Sequence, residues 1–343
     1  MAELFGREWS REDLAAMTGD ISQIGGVKLA ELTDGPERGV RVADCRTGGG
    51  LSFTVLLDRG MDIGAAEYKG VPLAWLSGAG FAHPAHYEPE GVGWLRTFGG
   101  GLMTGCGLTQ IGAPSEGMEK EPLGLHGRLS VIPARGVIVD SEWEGDEYRW
   151  RLQGRMKQYR LFSEHLELRR TISFRLGGRD IRIEDSVTNL GDTPSPFMLL
   201  YHVNLGFPLL SPESEMVAAP HTVEPRDDVA AGGLDAWARF QSPAAEFQEQ
   251  VFLHDLPADH EGMAEAALRN PWLGLSVHVR YRKAELPYLT QWRMMGKGTY
   301  VLGLEPGNAF VLGQAAERAA GRLQTIEPGE EKRLLVEIGV REE

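Results

Sequence analysis

Three ionisable side chains stand where the surrounding sequence is apolar or glycine-rich: His126 in LGLHGRLS, His202 in LLYHVNLGFP and Glu305 in YVLGLEPGN. A buried polar group without a partner costs on the order of 1–3 kcal/mol, so each needs either a satisfied place in the core or a use. Glu305 follows an apolar run and precedes Pro306-Gly307, which puts it at a strand end on the rim of a sheet. A carboxyl half-buried there has a raised pKa, as a general base working near neutral pH requires. An imidazole beside it would complete a pair that moves protons on and off a bound molecule. Each residue also has a plain structural reading: a core histidine held by a carbonyl, or a glutamate exposed in a turn.

The elements that must position these groups read as strands. Ser195–Leu210, SPFMLLYHVNLGFPLL, is mostly apolar, and alternation puts His202 and Asn204 on one face with Tyr201 and Val203 on the other. A buried strand with one polar stripe is expected to form a cavity wall. Val27–Leu32, Gly39–Ala43 and Leu51–Leu57 are short apolar and β-branched runs separated by Gly35-Pro36 and Gly48-Gly49-Gly50. Lys69-Gly70 marks a hairpin. Val137–Trp143 and Tyr148–Lys157 flank the turn Glu144-Gly145-Asp146, and Leu166–Leu176 turns at Gly177-Gly178 into a strand with Ile181, Ile183 and Val187 on one face. Leu275–Tyr281, Tyr288–Arg293, Tyr300–Leu304, Ala309–Leu312, Gly321–Ile326 and Lys332–Val340 continue the pattern. A capped helix, SREDLAAM from Ser10 to Met17, is expected at the start, with Asp13 at the reciprocal capping position. Strands without helical alternation imply an all-β, antiparallel sandwich or barrel rather than a parallel α/β fold. Pro212–Pro271 carries no clear pattern; propensity reads Glu261–Leu268 as a helix, whereas a sandwich calls for a strand there. With no linker or short repeat, residues 1–343 are read as one domain, residues 1–26 forming an N-terminal extension with the short helix.

Composition narrows the function classes. A formal net charge of −14 argues against a nucleic-acid partner, and 42% hydrophobic residues are enough for a sizeable core. Cys45 and Cys106, the only cysteines, make neither a disulfide framework nor a thiolate zinc site. The charged start MAELFGREWSRED has no apolar leader core, and no run approaches the ~20 residues of a membrane span. A cytoplasmic protein without a membrane partner is expected, and a homodimer is compatible with these features. The glycine run Gly99-Gly100-Gly101 and Gly105-Cys106-Gly107 lack the lysine and following helix of a phosphate loop. His83 and His86 lie in a proline-rich loop and read as solvated.

In order along the chain, His126-Gly127, then His202-Val203-Asn204-Leu205, then Glu305-Pro306 resemble the His-Gly, N-H-x-x-F-N-L and Glu-Pro motifs of the aldose 1-epimerase (galactose mutarotase-like) superfamily, with the likeness running from the Val27 strand to the C-terminus. Two departures stand out. Tyr201 occupies the position where the family has Asn, and DRGMDI, Asp58 to Ile63, replaces the usual arginine segment. The resemblance implies a β-supersandwich, two large antiparallel sheets with the site in a concave groove. It implies interconversion of the anomers of a reducing sugar by ring opening, with Glu305 as base, His202 as acid at the ring oxygen and His126 as a donor that orients the sugar. That chemistry needs no cofactor and no metal.

Under this reading Arg59, Arg128, Asn204, Gln291 and Arg293 are candidate ligands of sugar hydroxyls, and Trp94 or Trp75 can stack on a pyranose face. Asp58 or Asp62 could equally pair Arg59 at the surface. Gln291 and Arg293 share a facing on PYLTQWRMM, with Trp292 expected on the opposite side. Two other functions fit the same residues. A sugar-binding protein on this scaffold need not be catalytic. Two histidines and a carboxylate are also a known facial metal set, as in a metal-dependent sugar isomerase, although no H-x-H or H-E-x-x-H pair is present.

Overall fold

Two large antiparallel sheets account for most of the computed structural model, which describes residues 1–343. One has eight strands, in the order Arg135–Glu144, Glu147–Tyr159, His165–Arg175, Asp180–Asn189, Glu331–Glu342, Leu275–Arg282, Met263–Asn270 and Glu215–Val217. The other has twelve. Its main path runs Thr222–Pro225, Gln250–Asp255, Tyr288–Gly296, Thr299–Gly307, Ser195–Gly206, Met103–Leu108, Asp62–Tyr68, Leu51–Leu56, Arg41–Arg46 and Gly26–Glu31, with Gln324–Ile326 and Val71–Pro72 paired beside it. The chain is therefore the all-β antiparallel sandwich that its strand pattern implies.

Alternation builds the core. Leu166, Leu168, Ile172 and Phe174 from the eight-stranded sheet meet Leu199, Tyr201, Val203, Leu205, Leu302 and Leu304 from the twelve-stranded sheet in a continuous cluster of 58 buried residues. Ala2, Leu4 and Leu14 of the N-terminal segment join it. Ser10 caps the helix Arg11–Met17 in a full capping box with Asp13, as the sequence predicts.

The Ser195–Gly206 strand is buried on both faces, which explains its near-continuous apolar sequence. Its inner face belongs to the main core. Its outer face meets a second cluster of nine buried residues, among them Trp94, Phe98, Ile111, Met198, Leu200, Val251 and Val311. Much of that cover comes from the long excursion between Leu73 and Ala134. Tyr201 finds its partners inside the sandwich. Its hydroxyl donates to Asp185 at 2.7 Å, Arg170 donates to Asp185 through Nη2 and Nε, and Arg170 Nη1 also donates to the Gly60 carbonyl. Asp62 lies 3.6 Å from Arg170 and accepts the Gly105 N–H. Burial pushes the Asp62 carboxyl up to about 7, against the pull of the Arg170 guanidinium. This network anchors the strands carrying His202 and Thr104 from behind.

Of the two readings open for Glu261–Leu268, the strand is the one that forms: Met263–Asn270 pairs with both Leu275–Arg282 and Glu215–Val217. The alanines there favour a helix locally, but burial of Ala264, Ala266 and Leu268 on the core face decides the outcome. One expectation is corrected: Ala309–Leu312 is not a strand but a covering loop that leads into the helix Gln314–Ala319. No helix is long and apolar enough to cross a membrane.

Candidate active site

Register assembles the site. Opposed residues of an antiparallel pair point to the same face of the sheet. His202 stands opposite Thr104, and Glu305 stands opposite Thr290. The pairing of Leu200 with Gly307 and of Val203 with Leu304 places His202 opposite Glu305. Thr104, His202, Glu305 and Thr290 thus form one polar row across four adjacent strands, on the face away from the main core. The neighbouring row on that face is Asn204, Gly303, Trp292 and Val251. Gly303 is required by space: a Cβ there would lie 2.4 Å from Glu305 Oε1 and 3.0 Å from Trp292 Cβ.

Across from this wall, His126 comes from a tight loop. It adopts φ 57° and Gly127 φ 72°, two successive left-handed residues that reverse the chain. The Gly112 N–H donates to His126 Nδ1 at 3.3 Å, so a neutral His126 carries its proton on Nε2. The His126 and His202 rings lie 5.6 Å apart between centroids. Trp94, Phe98 and Trp292 surround them, with Phe98 and Trp292 each about 5.5 Å from the His202 ring.

His202 Nε2 lies 3.2 Å from Glu305 Oε1. His202 Nδ1, Glu305 Oε1 and Thr290 Oγ1 are sealed from solvent without a hydrogen-bond partner. All three residues line one cavity. That cavity encloses about 300 Å³ and is lined by His126, His202, Glu305, Thr290, Trp94, Trp292 and apolar neighbours, with Arg226 and Glu249 at its mouth. Burial pushes His202 down to about 3 and His126 down to about 4, so both imidazoles are uncharged near neutral pH. Burial raises Glu305 well above the usual carboxylate range; the charge of Glu249 adds to the rise and that of Arg226 opposes it. Burial thus disfavours the charged form of both His202 and Glu305.

Of the residues singled out in the sequence, His126, His202, Glu305 and Trp94 converge on this cavity. The other candidates do not line it. Arg59 is buried and spends its guanidinium on the carbonyls of Ala82 and Thr97, bracing the segment that carries Trp94. Asn204 faces the same way as His202, but its amide nitrogen is taken by the carbonyls of Gly101 and His202. Gln291 bonds His254 and the Trp237 carbonyl, and Arg293 bonds Gln250. Both point away from the site, because the pairing of Thr290 with Glu305 gives the site face to Thr290 and Trp292. Arg128 is exposed, its guanidinium 5.3 Å from the Tyr87 ring. Trp75 sits behind Phe98 and Trp292. Thr290, Trp292, Phe98, Arg226 and Glu249 are the site residues that sequence reading does not find. No group of three or more His, Cys, Asp or Glu side chains has metal-holding geometry.

The sandwich has the galactose mutarotase-like fold. Residues 37–340 match the family described as "Domain of unknown function (DUF4432)", and the chain belongs to that family. Among solved structures it is similar to a proposed aldose 1-epimerase from Klebsiella pneumoniae, at 26% identity and a TM-score of 0.86 over 92% of this chain and 83% of that one. A galactose mutarotase-like protein from Clostridium acetobutylicum is 13% identical, with a TM-score of 0.66 over 94% of this chain and all of that one. A galactose 1-epimerase from Lactobacillus acidophilus is 11% identical, with a TM-score of 0.57 over 93% of this chain and 99% of that one. At these identities the last two share the fold. No curated protein matches the chain.

Proposed function

We propose that this protein is an aldose 1-epimerase-like isomerase that interconverts the anomers of a reducing sugar. The observation that carries the reading is the apposition of His202 Nε2 and Glu305 Oε1 at 3.2 Å in a mostly apolar cavity. The two oxygens that must exchange protons, the anomeric hydroxyl and the ring oxygen, are bonded to one carbon. Two adjacent groups on one wall can therefore serve both.

In the working state Glu305 is ionised and His202 protonated. Glu305 takes the proton of the anomeric hydroxyl and a carbonyl forms at that carbon. The bond to the ring oxygen breaks, its electron pair stays on the ring oxygen, and His202 supplies the proton there. Rotation about the adjacent carbon–carbon bond presents the other carbonyl face. Closure returns one proton to His202 and takes one from Glu305, so the pair ends as it began. His126, with its proton on Nε2, can donate to a sugar hydroxyl, and Trp94 and Trp292 offer aromatic surface to the pyranose. Each positioned proton transfer is worth roughly 10²–10⁴-fold.

The resting pair, with its proton on Glu305, differs from the working pair only by a proton moved across 3.2 Å. Both forms have the same total charge, so pH does not select between them. Activity is lost when the pair gains a second proton or gives up the one it holds. The acid limb of kcat/KM is expected close to the values of about 3 and about 4 at which His202 and His126 take up protons. The alkaline limb follows loss of the pair's proton, displaced upward by the raised Glu305, and the limbs belong to the pair. A plateau through neutral pH supports the reading. An acid limb near 6.5, the ordinary imidazole value, would place the chemistry on a solvent-facing histidine instead.

Gly303→Ala tests the geometry without removing a functional group. The new Cβ forces Glu305 or Trp292 to shift. A displacement of about 1 Å can cost about 10²-fold in turnover. The expected result is a large fall in kcat with a cooperative thermal transition retained; unchanged kcat would mean that the position of Glu305 is not critical.

A further inference from the structure

We propose that Glu249, acting through the Arg226–Asp227–Glu249 cluster at the cavity mouth, restricts the site to uncharged sugars and excludes phosphorylated and carboxylated ones. The proposal rests on the reading of the cavity as a sugar site. Arg226 is the only cationic residue lining the cavity. Its Nη2 donates to Glu249 Oε1 at 2.9 Å and its Nε to Asp227 Oδ2 at 2.8 Å. One guanidinium against two carboxylates leaves this cluster with a formal charge of −1. The remaining wall is largely aromatic and aliphatic, and neither of its imidazoles carries a charge near neutral pH.

Glu249 is tied into the site by its other oxygen. Oε2 accepts the Trp292 indole N–H at 2.9 Å, and Trp292 packs against the His202 ring. Its charge also acts on Glu305 across the cavity mouth. A charge felt at Glu305 is felt by any anionic group on a sugar lying between them, and like charges brought together in a partly desolvated site repel. A phosphate or carboxylate would also find no cation free of a balancing carboxylate. A neutral pyranose meets neither obstacle.

The test compares wild type, Glu249→Gln, and Glu249→Gln combined with Asp227→Asn. The probes are D-glucose, D-galactose and D-mannose, each beside its 6-phosphate and its uronate. Binding is followed by tryptophan fluorescence and anomer exchange by NMR. Wild type should bind a neutral sugar at least about tenfold more tightly than its anionic counterparts. Glu249→Gln should narrow that ratio, and the double variant, which leaves Arg226 without a balancing carboxylate, should narrow it by about tenfold or reverse it. Wild type that binds a 6-phosphate as tightly as its parent sugar, or a ratio unmoved in both variants, overturns the proposal, as does binding of none of the neutral sugars. Wild type that binds neutral sugars selectively but exchanges no anomers would refute the isomerase reading and leave charge selection standing.

Discussion

Glu305→Gln is expected to lower kcat for anomer exchange by about 10²–10⁴-fold while leaving sugar binding nearly unchanged. The substitution keeps the shape of the side chain and its capacity to hydrogen-bond, but an amide cannot take the proton of the anomeric hydroxyl. Glu305 is almost wholly buried and its raised pKa already favours the neutral form, so the fold should tolerate a neutral isostere. Because the lost interaction belongs to proton transfer, kcat and kcat/KM should fall together. Near-normal exchange in this variant would mean that the base lies elsewhere in the groove, with His126 the next candidate.

His202→Asn should cause a comparable loss, with a second signature that a structural histidine would not give. Removing the imidazole leaves Glu305 without the partner that shares its proton at 3.2 Å. The variant should therefore lose not only turnover but also the shape of the pH profile, since the limbs of a coupled pair disappear with either member. A histidine that merely filled space beside Phe98 and Trp292 would lower thermal stability and leave the surviving activity with wild-type limbs. Retained activity with an unchanged profile would remove His202 from the chemistry.

Much of the fold is legible locally. Alternating apolar residues in Leu166–Leu176 and Ile181–Val187 report the inner face of the eight-stranded sheet, and the parity of Tyr201 against His202 separates core from groove correctly. Three ionisable residues in apolar settings point to one cavity, which all three line. What escaped depends on pairing between distant segments. PYLTQWRMM alternates equally well either way round, and only its register against Glu305 shows that Thr290 and Trp292 line the cavity while Gln291 and Arg293 do not. Arg59 looked like a sugar ligand because its buried carbonyl partners, Ala82 and Thr97, lie far along a loop with no periodicity. Arg226 follows the strand Thr222–Pro225 and Glu249 precedes the strand Gln250–Asp255, in the segment with least pattern, where nothing in composition distinguishes a rim charge from a solvated one. The strand Met263–Asn270 stays undecided in the sequence because its alanines favour a helix until neighbouring strands cover both edges.

The most direct test is NMR exchange between the α and β anomers of a panel of neutral aldoses, with wild-type protein and Glu305→Gln at equal catalytic concentrations and a chelator present throughout. Wild type should accelerate exchange of at least one aldose well above the buffer rate despite the chelator, and Glu305→Gln should return that rate almost to the buffer value. No acceleration for any aldose by folded wild type would contradict the isomerase assignment. Activity abolished by chelator and restored by one divalent ion would replace the acid–base pair with a metal-dependent isomerase.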